Sequence, residues 1–297
     1  MNPGGSVKDR PALQIIKDAI ENKKIEKGGT IIEGTAGNTG IGLCLVGNSL
    51  GLNSIIVMPE TQSEEKKRIL KILGADLKLV PALPYKDPNN YVRYSERLTQ
   101  EIQEKNPENS VIWANQFDNT SNLEAHFNTT GPELWQQTMG NIDAFICAVG
   151  SGGTLAGVAK FLKKKNPKIK IGLSDPYGSA LFNYFEKNEM KSEGTSITEG
   201  IGQGRITKNL ENFRPDYNFK ISDNQALLEL HNLLRLEGLY LGGSSAINIA
   251  GAHALAKKLG KGHTICTILC DSGQRYESKI WDKDFLNSKN LPLPSWF

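Results

Sequence analysis

The chain has 297 residues, 38% of them hydrophobic and 23% charged, with a formal net charge of +3. That length buries a sizeable core in one large or two medium domains, and the composition is that of an ordinary water-soluble globular protein. So small a charge excludes the electrostatic footprint of a nucleic-acid binder. The densest basic stretch, Lys160 to Lys170, follows an apolar helix pattern and reads as a solvated helix end favoured by the macrodipole. Four cysteines, Cys44, Cys147, Cys266 and Cys270, form no CxxC pair and no metal-ligand spacing. Each lies in an apolar run, which reads as a buried free thiol in a reducing compartment, and no metal site is expected. The start, Met1-Asn2-Pro3-Gly4-Gly5, carries no signal peptide, and no apolar run is long enough to span a membrane. A cytoplasmic protein is the expectation.

In chain order, a helix is predicted over Arg10 to Glu21, a strand over Gly29 to Glu33, a helix over Thr39 to Leu50 and a strand over Ser54 to Met58. Glu64 to Leu73 has an amphipathic helical period, with Ser63 offered as its N-cap. Asp76 to Val80 reads as a strand, the proline-bearing stretch Lys78 to Asn90 as a surface loop reaching into it, Tyr91 to Glu104 as a helix and Ser110 to Ala114 as a strand. The alternation continues with helix Asn122 to Met139, strand Ile142 to Val149, helix Thr154 to Lys165 and strand Ile169 to Ser174. Pro176 to Gly204 is glycine-rich and weakly periodic. Helices Asp223 to Glu237 and Ser244 to Leu259 and strand His263 to Cys270 complete the pattern. Strand and helix in regular succession, with strands that are almost continuous apolar runs, predict an α/β protein of two doubly wound parallel-sheet domains, 1–118 and 119–297, with the active site in the cleft between them.

Three glycine-rich turns follow strands, where ligands of such folds bind. The first is Glu33-Gly34-Thr35-Ala36-Gly37-Asn38-Thr39-Gly40, whose glycines allow close backbone approach and whose polar side chains add donors and acceptors. The second, Val149-Gly150-Ser151-Gly152-Gly153-Thr154, opens a helix and offers successive N–H groups to an anion. The third is Cys270-Asp271-Ser272-Gly273-Gln274-Arg275-Tyr276. One such turn ordinarily just begins a helix; three of them at three strand ends, with a lysine near one, are not explained by packing. A dinucleotide site is the rival reading, but Leu155 stands where the third glycine of that fingerprint belongs, and Asp175 lies a little far along for the ribose-binding acid. Walker A, zinc-protease and nucleophile-elbow patterns are absent. In the segment Asn2-Pro3-Gly4-Gly5-Ser6-Val7-Lys8-Asp9-Arg10, a glycine-rich approach brings Lys8 to a helix start, where partial desolvation makes its amine a better nucleophile toward an aldehyde. His126, His231, His253 and His263 read as structural.

Together these segments, with Asn115-Gln116-Phe117-Asp118-Asn119, Ala125-His126 and Thr129-Thr130-Gly131-Pro132-Glu133, resemble the cysteine synthase (O-acetylserine sulfhydrylase) and cystathionine β-synthase family of fold-type II enzymes, which share the tryptophan synthase β-like fold and depend on pyridoxal 5'-phosphate. The motifs occur in the family's order across essentially the whole chain. The resemblance implies that Lys8 carries the cofactor as a Schiff base and later serves as general base. It implies that Asn38 bonds the ring hydroxyl, that Gly150, Ser151, Gly152, Gly153 and Thr154 hold the phosphate, and that Ser272 faces the pyridine nitrogen in preference to Asp271. Thr35, Thr39 and Gln116 would receive the α-carboxylate of an amino-acid substrate. The implied reaction replaces the β-substituent of O-acetylserine with sulfide to give L-cysteine, in a homodimer. Cystathionine synthesis, cysteine desulfhydration and serine dehydration are the nearest alternatives, with an inactive truncated homologue and a nicotinamide oxidoreductase further off.

The sequence departs from the family pattern at four places. The family has a strand and a Gly-Asn-Thr-Pro-type turn ahead of the lysine motif, whereas this sequence starts almost at the lysine: either the true start lies upstream or a sheet strand is missing, and loss of that strand would expose a sheet edge. Ala36 replaces a common serine, Gly242-Gly243-Ser244-Ser245-Ala246-Ile247 replaces Gly-Ile-Ser-Ser-Gly-Ala, and Gly200-Ile201-Gly202-Gln203-Gly204-Arg205 replaces Gly-Ile-Gly-Ala-Gly, bringing in an arginine.

Overall fold

A computed structural model describes residues 2–297. The chain divides into two compact units, the first ending at Asn122 and the second running over Leu123–Phe297. In the first unit α1 (Asp9–Glu21) precedes β1 (Thr30–Gly34), α2 (Asn38–Ser49), β2 (Asn53–Pro59), α3 (Glu64–Ile72), β3 (Asp76–Val80), α4 (Tyr91–Lys105) and β4 (Val111–Trp113). The four strands are parallel and lie in the order β3-β2-β1-β4. Helices cover both faces. Gly34 lies against Tyr91, Val92 and Ser95 of α4, leaving no room there for a Cβ. On the opposite face Ala12, Ile15, Ile16 and Ala19 of α1 pack with Ile31 of β1 and Leu43 of α2. Burying an isoleucine such as Ile15 or Ile16 contributes roughly 1.5–3 kcal/mol, and these contacts hold the start of α1 in place.

After α5 (Ser121–Ala125) come α6 (Gly131–Gln137), β5 (Ala144–Cys147), α7 (Gly153–Lys165), β6 (Lys170–Pro176), α8 (Leu181–Lys187), β7 (Tyr217–Ile221), α9 (Asp223–Glu237), α10 (Gly243–Leu259), β8 (Ile265–Cys266) and α11 (Lys283–Ser288). The second sheet is also parallel, in the order β7-β6-β5-β8. Its core packs Phe145 of β5 and Leu173 of β6 against Leu155, Val158 and Leu162 of α7. The expectation of two α/β parallel sheets is met, and both have the same order: the first three strands step one way and the fourth returns to the other side of the first.

Several elements differ from the sequence reading. The helix expected over Asn122 to Met139 is broken by a π-helical turn at His126–Thr130. Pro132 has no N–H to give the carbonyl four residues back, and the wider turn spans that gap. The strand expected over His263 to Cys270 pairs only at Ile265 and Cys266. Beyond them side chains replace the ladder: the Thr267 hydroxyl donates to the Ile146 carbonyl, the Asn248 amide donates to the Ile268 carbonyl, and the Cys270 N–H donates to the Ser245 hydroxyl. Cys44 and Cys147 are buried, but Cys266 and Cys270 are partly exposed and do not share a strand; no disulfide joins any of the four. Ser63 precedes α3 without a side-chain capping bond. Among the described residues no helix is long and apolar enough to cross a membrane, and no group of three or more His, Cys, Asp or Glu side chains is placed to hold a metal ion.

Candidate active site

In a sheet of this order the crevice at the carboxyl ends of the strands opens where the winding reverses, between β1 and β4 in the first unit and between β5 and β8 in the second. Of the residues singled out in the sequence, all but Lys8 follow those strands. Thr35, Asn38 and Thr39 follow β1, Gln116 follows β4, the loop Gly150 to Thr154 follows β5, and Ser272 lies beyond β8.

In the first unit the turn after β1 is held by its own bonds. The Gly37 N–H donates to Thr35 Oγ1, and Gly37 has φ 128°, a conformation that glycine alone adopts without strain. The Thr39 hydroxyl donates to Gln116 Oε1 at 2.6 Å, joining the β1 turn to the β4 turn. Thr35, Thr39 and Gln116 are all buried, while Asn38, the first residue of α2, is half-buried. Lys8 is the half-buried N-cap residue just before α1, and its N–H donates to the Ser6 hydroxyl at 3.3 Å. Gly42 brings α2 close to it: a Cβ there would lie 3.2 Å from the Lys8 carbonyl oxygen and 3.0 Å from Ala12 Cβ.

One acid in this unit had no signal in the sequence. Glu33, on β1 amid isoleucines, is 1% exposed. Burial pushes its carboxyl up to about 8, against hydrogen bonds from the Gln116 side chain and from the backbone of Gln116 and Asn115.

In the second unit Gly152 caps α7 in the left-handed region at φ 90°, and a Cβ on it would lie 2.5 Å from Leu210. The N-cap residue of α7, Gly152, makes no side-chain capping bond, and the backbone N–H groups of a helix start suit an anion. Ser151 is buried, and its carbonyl accepts the Thr207 hydroxyl at 2.8 Å, which fixes the loop. Thr154 Oγ1 lies 3.1 Å from His126 Nε2, and His126 Nδ1 lies 2.8 Å from Thr130 Oγ1. His126 therefore packs, as the sequence reading had it, but what it packs on is the glycine loop. A loop that only glycine can form, an uncapped helix start and a buried hydroxyl fit a phosphate group.

At the third turn Ser272 Oγ accepts the Gln274 N–H at 3.3 Å and keeps its own proton to give. Asp271 is buried, and its carboxylate accepts the Tyr276 hydroxyl at 2.6 Å. Burial first, and the Asp271 charge second, raise the Tyr276 phenol well above its usual range. Asp175, weighed above as a ribose-binding acid, is instead committed locally. It is wholly buried, its Oδ2 accepts the Phe182 N–H at the start of α8, and burial pushes its carboxyl up to about 6.

A family model described as "Pyridoxal-phosphate dependent enzyme" matches residues 1–271. The chain belongs to this family. Curated relatives match this pyridoxal-phosphate enzyme along almost its whole length. It is 47% identical to "Cysteine synthase 1" of Neurospora crassa over 98% of this chain and 77% of that protein. Among solved structures it is similar to the O-acetylserine dependent cystathionine beta-synthase from Helicobacter pylori, with a TM-score of 0.85 at 35% identity over 94% of this chain and 86% of the other. A hydrogen sulfide-producing enzyme from Fusobacterium nucleatum matches with a TM-score of 0.81 at 32% identity over 93% of this chain and 88% of the other.

Proposed function

We propose that this pyridoxal-phosphate enzyme makes L-cysteine from O-acetylserine and sulfide. The observation that carries the reading is the glycine loop after β5, built to take a phosphate at the uncapped start of α7, in a chain 47% identical to a cysteine synthase. In this reading Gly150, Ser151, Gly152, Gly153 and Thr154 hold the cofactor phosphate, Asn38 bonds the ring hydroxyl, and Lys8 secures the cofactor through its amine. Bound pyridoxal phosphate supplies an electron sink for bonds broken at the substrate α-carbon. The rest of the chemistry belongs to the chain. Thr35, Thr39 and Gln116 orient the substrate by its α-carboxylate. The Lys8 amine takes the α-proton as general base, acetate leaves the β-carbon, and sulfide adds there. Ser272 gives a hydroxyl to the ring nitrogen, while Asp271 is held by Tyr276. A neutral donor leaves that nitrogen unprotonated and favours β-replacement over transamination. The reading places the enzyme in the cytoplasm, where unbridged thiols persist, and as a homodimer.

The test is product formation by the purified, cofactor-loaded chain. O-acetylserine with sulfide is expected to give cysteine, and homocysteine in place of sulfide to give far less cystathionine. Lys8→Ala is expected to lower kcat by at least about 10³-fold, the scale of a lost general base, and to abolish the cofactor adduct trapped by borohydride and seen by mass spectrometry. A chain that takes up the cofactor and forms no cysteine would refute the assignment.

A further inference from the structure

We propose that Asn248 is a positioning residue whose side-chain amide sets the spacing between the phosphate loop and the Ser272 turn, so that one cofactor rests on both. The inference rests on the reading that Gly150 to Thr154 hold the phosphate and Ser272 meets the ring nitrogen, and it assigns the part that joins those two seats.

The place that Asn248 fills is a feature of the sheet. β5 and β8 pair at Ala144–Ile265 and Phe145–Cys266 and no further. A parallel ladder carried on would keep the two backbones about 4.8 Å apart up to the loops that follow them. In its place stands a side chain from α10. Asn248, 1% exposed, accepts the Ala148 N–H on Oδ1 at 2.6 Å. Its Nδ2 donates to the Ile268 carbonyl at 2.7 Å and to Cys270 Sγ at 3.4 Å. The amide thus acts as a peptide group set between the two strand ends, holding them bonded yet one side-chain amide apart. Its orientation is fixed, because a flipped amide would turn its N–H groups on the Ala148 N–H and its oxygen on the Ile268 carbonyl.

Both strand ends lead directly into the candidate site. Ala148 comes two residues before Gly150, and Cys270 two residues before Ser272. Helix α10 is itself anchored at this point. The Ser174 hydroxyl of β6 donates to the Ile247 carbonyl at 2.6 Å, and the buried Ser245 hydroxyl accepts the Cys270 N–H at 2.8 Å. Each seat also has ties of its own. The Val149 carbonyl accepts the Gly202 N–H, and the Ser151 carbonyl accepts the Thr207 hydroxyl, both at 2.8 Å. At the other turn the Asp271 carbonyl accepts the Gly242 N–H at 3.2 Å, and the Gly273 N–H donates to the Tyr240 carbonyl at 3.0 Å. Loss of the Asn248 amide therefore leaves each seat formed and releases the spacing between them. A ligand that fills one seat does not sense that change, whereas a ligand that spans both does.

The test compares two ligands of the full chain freed of its cofactor. Inorganic phosphate, followed by phosphorus NMR, needs the glycine loop alone. Pyridoxine 5'-phosphate, followed by calorimetry, has the ring and the phosphate but no aldehyde to react with Lys8. Asn248→Ala is expected to weaken pyridoxine 5'-phosphate binding about tenfold, the scale of a lost hydrogen bond, and to change phosphate binding less than about twofold. If Asn248→Ala does not fold, Asn248→Ser carries the same comparison. Thr267→Val, which removes the neighbouring bond to the Ile146 carbonyl, is expected to leave both affinities unchanged, whatever its effect on stability. Ser272→Ala is expected to weaken pyridoxine 5'-phosphate and not phosphate. Equal losses of both ligands in the Asn248 variant would mean that the glycine loop itself has collapsed, and would overturn a role in spacing. Normal binding of both by that variant, beside weak pyridoxine 5'-phosphate binding by Ser272→Ala, would leave the seats standing and overturn the role of Asn248. Normal pyridoxine 5'-phosphate binding by Ser272→Ala would mean that the ring seat is misplaced, and the assignment of Asn248 would fall with it.

Discussion

At Thr154 the placing of one proton decides what the glycine loop binds. Its hydroxyl lies 3.1 Å from His126 Nε2, and the other ring nitrogen lies 2.8 Å from Thr130 Oγ1. A neutral imidazole has one N–H and one bare nitrogen. With Thr130 donating to Nδ1, the Nε2–H holds the Thr154 oxygen, and the threonine proton can point at a phosphate. The other tautomer takes that proton for the ring and turns a lone pair toward the anion. A phosphate loop needs the first arrangement. His126→Leu is therefore expected to weaken pyridoxal phosphate binding about tenfold, as for one hydrogen bond, measured by absorbance titration of the apoprotein. Thr154→Val should weaken it similarly, and the double variant no further, because the two side chains act through one proton. Neither the contact of His126 with the glycine loop nor the burial of Glu33 was legible in the sequence. The glycine loops have a signature because only glycine tolerates their backbone, and they are short. A single acid in an apolar strand has none, and the partner of His126 lies 28 residues along the chain.

The elements that bring these partners together were mostly legible, because helices and strands facing a core repeat every 3.6 or two residues. Misreadings arose where backbone bonding departs from period alone. The pattern over Asn122 to Met139 reads as helical throughout, and it did not mark the π-turn where Pro132 interrupts the ladder. β7, with most of its residues only half-buried, and the seven-residue α8 were passed over because a short element at the edge of a core shows little contrast. The π-turn is also a contact point. A Cβ on Gly157 of α7 would lie 2.4 Å from the Leu123 carbonyl oxygen and 2.9 Å from His126 Cβ. The carbonyl is backbone and cannot swing aside, so Gly157→Ala must push the turn and α7 apart. That substitution is expected to cost about 1–3 kcal/mol of stability, as overpacking does, and also to weaken cofactor binding, because His126 moves with the turn. Denaturant melts and cofactor titration of the same variant check both, and a destabilised variant with normal cofactor affinity would uncouple the turn from Thr154.

On the scale of the whole chain, both units repeat one order of strands, and in each the loops that carry the candidate site residues follow the two strands that flank the reversal. Regular alternation made that architecture legible, but it could not reveal how acids are treated inside each sheet. Glu33 in the first unit is raised from 4.5 to about 8, and Asp175 in the second from 3.8 to about 6, in both cases chiefly by burial. A carboxyl raised in the folded state holds a proton that the unfolded chain has already released. For Glu33 this stabilisation is fully present below about pH 4.5 and fades until pH reaches about 8. For Asp175 the window runs from about 3.8 to about 6. Both signs are opposite to that of a salt-bridged carboxylate. Each tenfold gain in a carboxyl's proton affinity on folding corresponds to about 1.4 kcal/mol before the structure relaxes, so raising the pH from 5 to 8 is expected to destabilise the fold by a few kcal/mol. Glu33→Gln cannot ionise and should flatten the fall above pH 6 in the unit that contains it, whereas Asp175→Asn should flatten only the part below pH 6. Denaturant melts at pH 5, 6, 7 and 8 separate the two. If Glu33→Gln keeps the wild-type fall between pH 6 and 8, the Glu33 carboxyl is already ionised in the folded chain, and burial does not raise it as far as about 8.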